Sequence, residues 1–184
     1  MADKHTDDFE LLDLYSSGND SEKIFSVIVD KYQRQLYSII RKMVIDHNDA
    51  QDILQNTFIK AWKNLSGFNR QSKLYTWLYR IAVNETMTFL NARKKRFLVP
   101  LSTQEYNLTE KLESDPWFDG DEAVKKFQKA ILTLPNKQRI VFNMRYYEEM
   151  HYEQMSEILG TSEGALKASY HHAAKKIQEY MLNN

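Results

Sequence analysis

Along residues 74–96 the sequence interleaves rings, amides, hydroxyls and cations at a helical step. Thr76, Arg80, Asn84, Thr88, Asn91 and Lys95 recur every three or four residues, with Tyr75 and Tyr79 beside them. A basic cluster, Arg93, Lys94, Lys95 and Arg96, closes the stretch. These groups suit the capture of unpaired bases: rings stack on bases that have left a duplex, amides donate and accept at a pairing edge, and Lys and Arg hold phosphates. A solvated helix face is the alternative reading of the same stripe. Other chemistries lack their groups. The chain has no Cys, which excludes a disulfide framework and a cysteine-type zinc site. Its histidines, His5, His47, His151, His171 and His172, show no metal-ligand spacing with carboxylates, and no Gly-rich phosphate loop is present. No catalysis, metal, cofactor or small-molecule substrate is expected.

Two helices must carry this stripe and its surroundings. Ala50, Ile53, Leu54, Thr57, Phe58, Ala61, Trp62 and Leu65 fall on one face of a first helix. Asp46, Asn48, Asp49 and Asp52 suit its start, where free N–H groups and the dipole favour oxygen-bearing, negative side chains. After a break at Ser66-Gly67, a second, longer helix has Leu74, Trp77, Leu78 and Ile81 on its core side. Large aromatics at helical spacing tend to be buried, so Trp62 and Trp77 are expected in the core.

The second half of the chain reads as a helix-turn-helix. Tyr152, Met155, Ile158 and Leu159 define a short amphipathic helix, Gly160 fits its end, and Thr161 or Ser162 caps the next one. Leu166, Tyr170, Ala173 or Ala174, Ile177 and Met181 form the stripe of that next helix, whose N-terminal residues would meet base edges in a major groove. A plain helical hairpin is the alternative. The preceding segment supplies the third helix such a module packs on, with Pro135 in its first turn and Ile140, Val141 and Met144 facing inward.

The segments DAQDILQNTFIKAW, KLYTWLYRIAVNE, LPNKQRIVFNMRYYEEMHYEQMSEILG and SEGALK together resemble the sigma-70 family, specifically its small two-domain group, the extracytoplasmic-function (ECF) sigma factors of RNA polymerase. The resemblance runs from about Ile24 to Met181. It implies an all-α protein of two small helical domains, a region 2 helical bundle and a region 4 helix-turn-helix, joined by a flexible acidic linker.

Composition agrees. Five glycines and three prolines in a helix-periodic chain of 184 residues argue for an all-α fold of one domain or two small ones. The net charge of zero conceals segregation. Residues 1–19, expected to be an acidic tail, have net charge −4; 20–98, the expected region 2 domain, +7; 99–122, the expected acidic linker, −6; and 123–184, the expected region 4 domain, +3. DNA affinity follows these local charges rather than their total. With no basic-then-apolar leader and no membrane-length apolar run, the protein is expected in the cytoplasm, not inserted in a membrane.

What the resemblance implies can be placed residue by residue. Core polymerase would be met by Asp49, Asp52 and Gln55, although Gln51 and Asn56 stand where relatives carry acids. A base of the −10 element would be held by the loop from Ser66 to Lys73, with Phe68 and Asn69 inside it and Asn84 completing the pocket. Tyr75, Tyr79 and Arg80 would lie near the separating strands, with Arg93, Lys94, Lys95 and Arg96 on phosphates. The −35 element would be met by Ser162, Glu163, Gly164, Lys167, Ser169, Tyr170, His171 and Lys175, with Arg145 on the backbone. Ala168, Ser169, His172 and Ala174 depart from the arginines usual in relatives, and Tyr170 also fits the core stripe. An anti-sigma factor is a further expected partner. Two other classes remain: a stand-alone helix-turn-helix regulator, which needs no surface for unpaired bases, and a helical adaptor that binds only protein.

Overall fold

The computed structural model describes residues 5–18, 20–97, 109–112, 115–118 and 121–183, without the side chains of 94–97. Among these residues all regular structure is helical.

The first group of helices is α1 (Asp8–Ser16), α2 (Ser21–Val44), α3 (His47–Asn64) and α4 (Leu74–Phe97). α2 is the central pillar: Ile24, Ile28, Tyr32, Leu36, Ile39, Ile40, Met43 and Val44 repeat at helical spacing and are buried against α3 and α4. α3 begins where the acidic cluster predicts, with the Asp46 carboxylate accepting from the Asp49 N–H at 3.0 Å. The expected acidic tail contains α1. Asp7 caps this helix, Leu11 and Leu12 are buried against the bundle, and Asp8 accepts from Lys31 Nζ at 2.8 Å and from the Tyr32 hydroxyl. Burial first, and the Asp8 carboxylate next, push the Tyr32 hydroxyl pKa far upward.

The second group is α5 (Glu122–Leu132), α6 (Asn136–Tyr146), α7 (Tyr152–Leu159) and α8 (Glu163–Asn183). Pro135 caps α6, and Gly160 ends α7 in the left-handed region at φ 61°, where a side chain would be strained. The Ser162 hydroxyl accepts from the Ala165 N–H at 3.4 Å and opens α8. Met155, Ile158, Leu166, Ala173 and Ile177 are buried, as the stripe predicts.

The two groups lie against each other. α7 packs on α4 and α6 on α2, and Ile140, Val141, Met144, Met155 and Ile158 continue the same buried cluster as Leu36, Leu74 and Leu78. Part of the acidic connector is fastened down as well. Leu112 and Phe118 bury with Ile45 and Leu132, and Asp115 pairs with Arg41 of α2, whose guanidinium is 1% exposed and lies 5.6 Å and 5.0 Å from the rings of Trp117 and Phe118. Lys111 pairs with the capping carboxylate of Asp46 at 2.6 Å, which holds the Asp46 pKa down at about 2. Residues 111–118, as far as they are described, are packed rather than solvated, because apolar Leu112 and Phe118 have a hydrophobic seat at the junction.

Candidate nucleic-acid and partner interfaces

The loop between α3 and α4 is where a site for an extruded base is expected. A short 3-10 turn, Leu65–Gly67, anchors it through buried Leu65, and the Phe68 ring lies 5.1 Å from that of Trp77. Asn69 caps the loop locally, its side-chain oxygen accepting from the Gln71 N–H at 3.2 Å. Arg70, at φ 58°, donates to Asp13 of α1 at 2.6 Å, so the acidic helix braces this loop.

The predicted pocket is divided in two. One cavity of about 410 Å³ is lined by Phe68, Asn69, Trp77 and Arg80, and Glu157 reaches it from α7. A second, of about 440 Å³, holds Asn84 with Asn64, Lys60 and Glu85. Gly67 and Trp77 belong to both, so the Trp77 indole forms the partition. Arg80, Asn84, Thr88 and Asn91 are exposed along α4, as the stripe predicts.

Three members of the stripe and its flanks differ. Thr76 is 5% exposed and Tyr79 is fully buried, because α4 faces the second helical group at its N-terminal end. Tyr75 is half-buried between Tyr32 and Tyr79. Burial drives the hydroxyl pKa values of Tyr75 and Tyr79 upward, with the Glu148 charge adding to it. Arg93 is not free for phosphate: it donates to Asp49 at 2.9 Å. Burial raises the Asp49 pKa, and the Arg93 charge opposes that shift. The side chains of Lys94, Lys95 and Arg96 lie outside the described residues.

Asp52 and Gln55 border an apolar groove of about 590 Å³ between α2 and α3. Asp49 does not line it, being paired with Arg93. The groove floor is Phe25, Val29, Leu54 and Phe58, and Ile59 and Trp62 stand 44% and 37% exposed at its side. Trp62 is therefore not a core residue; its ring edges against Tyr15 and Phe25 while part of it faces solvent. Sequence periodicity marks the apolar face of α3 but not where its cover ends.

On α8, Glu163, Gly164, Lys167, His171 and Lys175 are exposed. Ser162 is exposed and serves the helix cap. Ser169 is half-buried, and Tyr170 stacks on Phe142 with ring centroids 5.6 Å apart, so Tyr170 belongs to the core. Arg145 supports the turn before α7, donating to the carbonyls of Glu149 and Met150 at 3.3 Å and 3.2 Å.

Comparison with known proteins matches these two groups separately. Residues 28–96 match sigma-70 region 2, and residues 125–177 match sigma-70 region 4. The chain belongs to the sigma-70 family. The "RNA polymerase sigma-H factor" of Pseudomonas aeruginosa is 29% identical over 174 residues, covering 86% of each chain. The "ECF RNA polymerase sigma factor SigW" of Bacillus subtilis is 28% identical over 165 residues, covering 85% of this chain and 88% of that one. Among solved structures, the sigma factor RpoE of Bartonella quintana, in complex with the anti-sigma factor NepR, superposes with a TM-score of 0.68 at 22% identity, covering 88% of this chain and 99% of that one. CnrH in complex with the cytosolic domain of CnrY gives 0.64 at 21%, covering 92% and 94%. A stand-alone regulator accounts for the region 4 match but leaves region 2 without a purpose. This sigma-70 chain carries both regions in order, and it is an RNA polymerase sigma factor of ECF type. No helix among the described residues is long and apolar enough to cross a membrane.

Proposed function

We infer that this sigma factor recruits core RNA polymerase through the α2–α3 groove, reads the −10 element with the α3–α4 loop and reads the −35 element with α8. The observation that carries this reading is the pair of cavities separated by Trp77, an aromatic partition with amides on both sides, tied in one chain to a helix-turn-helix.

An apolar groove edged by Asp52, Gln55, Ile59 and Trp62 suits a helical partner that brings an apolar ridge and cationic flanks. In the loop, a base leaving the duplex meets the Phe68 and Trp77 rings, while Asn69 or Asn84 offers both donor and acceptor to its pairing edge. Arg80, exposed at the rim of the same cavity, supplies the cation for a backbone phosphate. Unstacking costs about a few kcal/mol per step, and stacking on protein rings returns roughly 1–3 kcal/mol per base, so capture offsets melting without nucleotide hydrolysis. The exposed Lys167, His171 and Lys175 provide the contact surface on α8. The residues proposed for anti-sigma control are the same groove and DNA-facing side chains, since covering them silences both steps. Such a factor works in the cytoplasm, with its polymerase.

The test is run-off transcription from a promoter pool with core polymerase of the source organism. The protein should direct specific new transcripts, and Asn84→Ala should lower their yield roughly tenfold, the equivalent of one lost base contact. Tight duplex binding by the protein alone without any transcript would overturn the assignment of the groove to polymerase.

A further inference from the structure

The α3–α4 loop is held from one side by α1, and the hold falls on one strained residue. Arg70 stands at the centre of the turn that the Asn69 side chain closes on the Gln71 N–H. Its φ of 58° is a left-handed conformation that a residue with a Cβ adopts when its surroundings impose it. The Arg70 guanidinium donates to the Asp13 carboxylate at 2.6 Å, across 57 residues of sequence. Apolar packing gives little help at this point, because a cavity of about 390 Å³ lies between loop and helix, with Phe9 and Leu12 on one wall and Phe68, Arg70 and Lys73 on the other.

The helix α1 is itself fixed without the loop. Leu11 and Leu12 are buried, Asp8 accepts from the Lys31 ammonium and the Tyr32 hydroxyl of α2, and Tyr15 sets its ring edge-on to Trp62 of α3. Asp13 therefore stands on a rigid platform. The pair it makes adds little to global stability, since the two side chains are 68% and 35% exposed and solvent screens them. Its effect is local. Phe68, Gln71 and Ser72 line both the cavity beside α1 and the cavity of Asn69 and Arg80, so a loop that shifts relative to α1 reshapes the chamber offered to a base. The Gln71 N–H also engages the Asn69 side-chain oxygen, which ties that end of the amide to the turn and leaves the NH2 end to donate.

Resting on the −10 reading above, we propose that Asp13 is a positioning residue for promoter specificity: through Arg70 it holds the α3–α4 loop in the turn that sets Asn69 and Phe68 for the captured base. The acidic N-terminal segment then acts at the −10 element without touching DNA. A loop released from the pair samples several shapes, and a chamber of several shapes discriminates less between bases.

In the test, full-length protein with core polymerase transcribes a template pool randomised through the −10 element, and sequencing the products gives the base preference at each position. Asn69→Ala marks the position that the loop reads. There, Asp13→Ala should cut the yield ratio of preferred to next-best base about two- to fivefold, the range an exposed ion pair supplies, with the circular dichroism melting curve unchanged. Arg70→Ala should flatten the same position, and the double variant should be no flatter than Arg70→Ala alone, because partners that act through one contact are not additive. Asp13→Asn repeats the measurement if Asp13→Ala shifts the melt. An unchanged ratio, an equal fall in yield for all four bases, or additive losses in the double variant would overturn the proposal. If Asn69→Ala changes no position, the −10 reading of the loop falls instead, and hydrogen exchange at the Gln71 amide decides whether Asp13 holds the turn: faster exchange in Asp13→Ala keeps the brace, and an unchanged rate removes it.

Discussion

At the scale of single residues, the groove gives the sharpest test. Ile59 is 44% exposed on α3 and touches the partner surface proposed for polymerase without supporting the core. Ile59→Glu should leave thermal stability within about 0.5 kcal/mol, as exposed substitutions usually do. It should weaken core polymerase binding about tenfold or more, because a carboxylate would be desolvated in an apolar contact. Titration of labelled protein with core polymerase measures this, and unchanged affinity would move docking off the groove. Residue types alone placed Arg80 and Asn84 on an exposed side of α4, since a polar residue on an amphipathic helix declares its side, whereas Asp52 and Gln55 came from the family resemblance. Neither could show that Asp49 and Arg93, assigned to different partners, pair with each other across 44 residues of sequence. Glu157 and Arg41 escaped for the same reason: their roles come from contacts between distant segments, which no local period encodes.

At the scale of elements, boundaries followed local chemistry closely. The Asp46 cap, the Gly160 stop and the Ser162 start were all readable because capping is a short-range hydrogen-bond problem. Tyr79 was not, since its position beside the polar stripe is correct for α4 alone and is overridden by the tertiary packing that buries it, beside Tyr75 and near Glu148. α1 was hidden by its acids, although Leu11 and Leu12 supply the apolar pair that docks it. The cap of α3 also carries a pH dependence. Lys111 first, opposed by burial, lowers the Asp46 pKa from 3.8 to about 2. A depressed carboxylate pKa contributes stability that is fully present above the unfolded value and is lost as pH falls through the folded one. Lys111→Gln should therefore lower the melting temperature at neutral pH, and the gap to the unsubstituted protein should close as pH drops from about 4 to about 2. Circular dichroism melts across that range measure it; a gap that stays constant would mean that Lys111 acts through packing rather than charge.

At the scale of the whole molecule, two helical groups and a pinned connector pack together around a junction that leaves several buried polar atoms unsatisfied among the described residues. Arg41 is its clearest element. The guanidinium is buried against Trp117 and Phe118 and paired with Asp115, yet two of its nitrogens have no acceptor among the described residues. A buried ion pair of this kind is weak evidence for stability, since apolar replacements of similar volume are often neutral or stabilising by about 1–4 kcal/mol. Replacing the pair together, Arg41→Met with Asp115→Leu, puts apolar volume against the rings and removes an ion pair whose buried cation is poorly satisfied. The free protein should then melt higher, by roughly 2–4 °C for each kcal/mol gained in a chain of this size. Scanning calorimetry measures the change. A lower melting temperature would instead show that the charges themselves, through Asp115 and the ring faces, hold the connector in its seat.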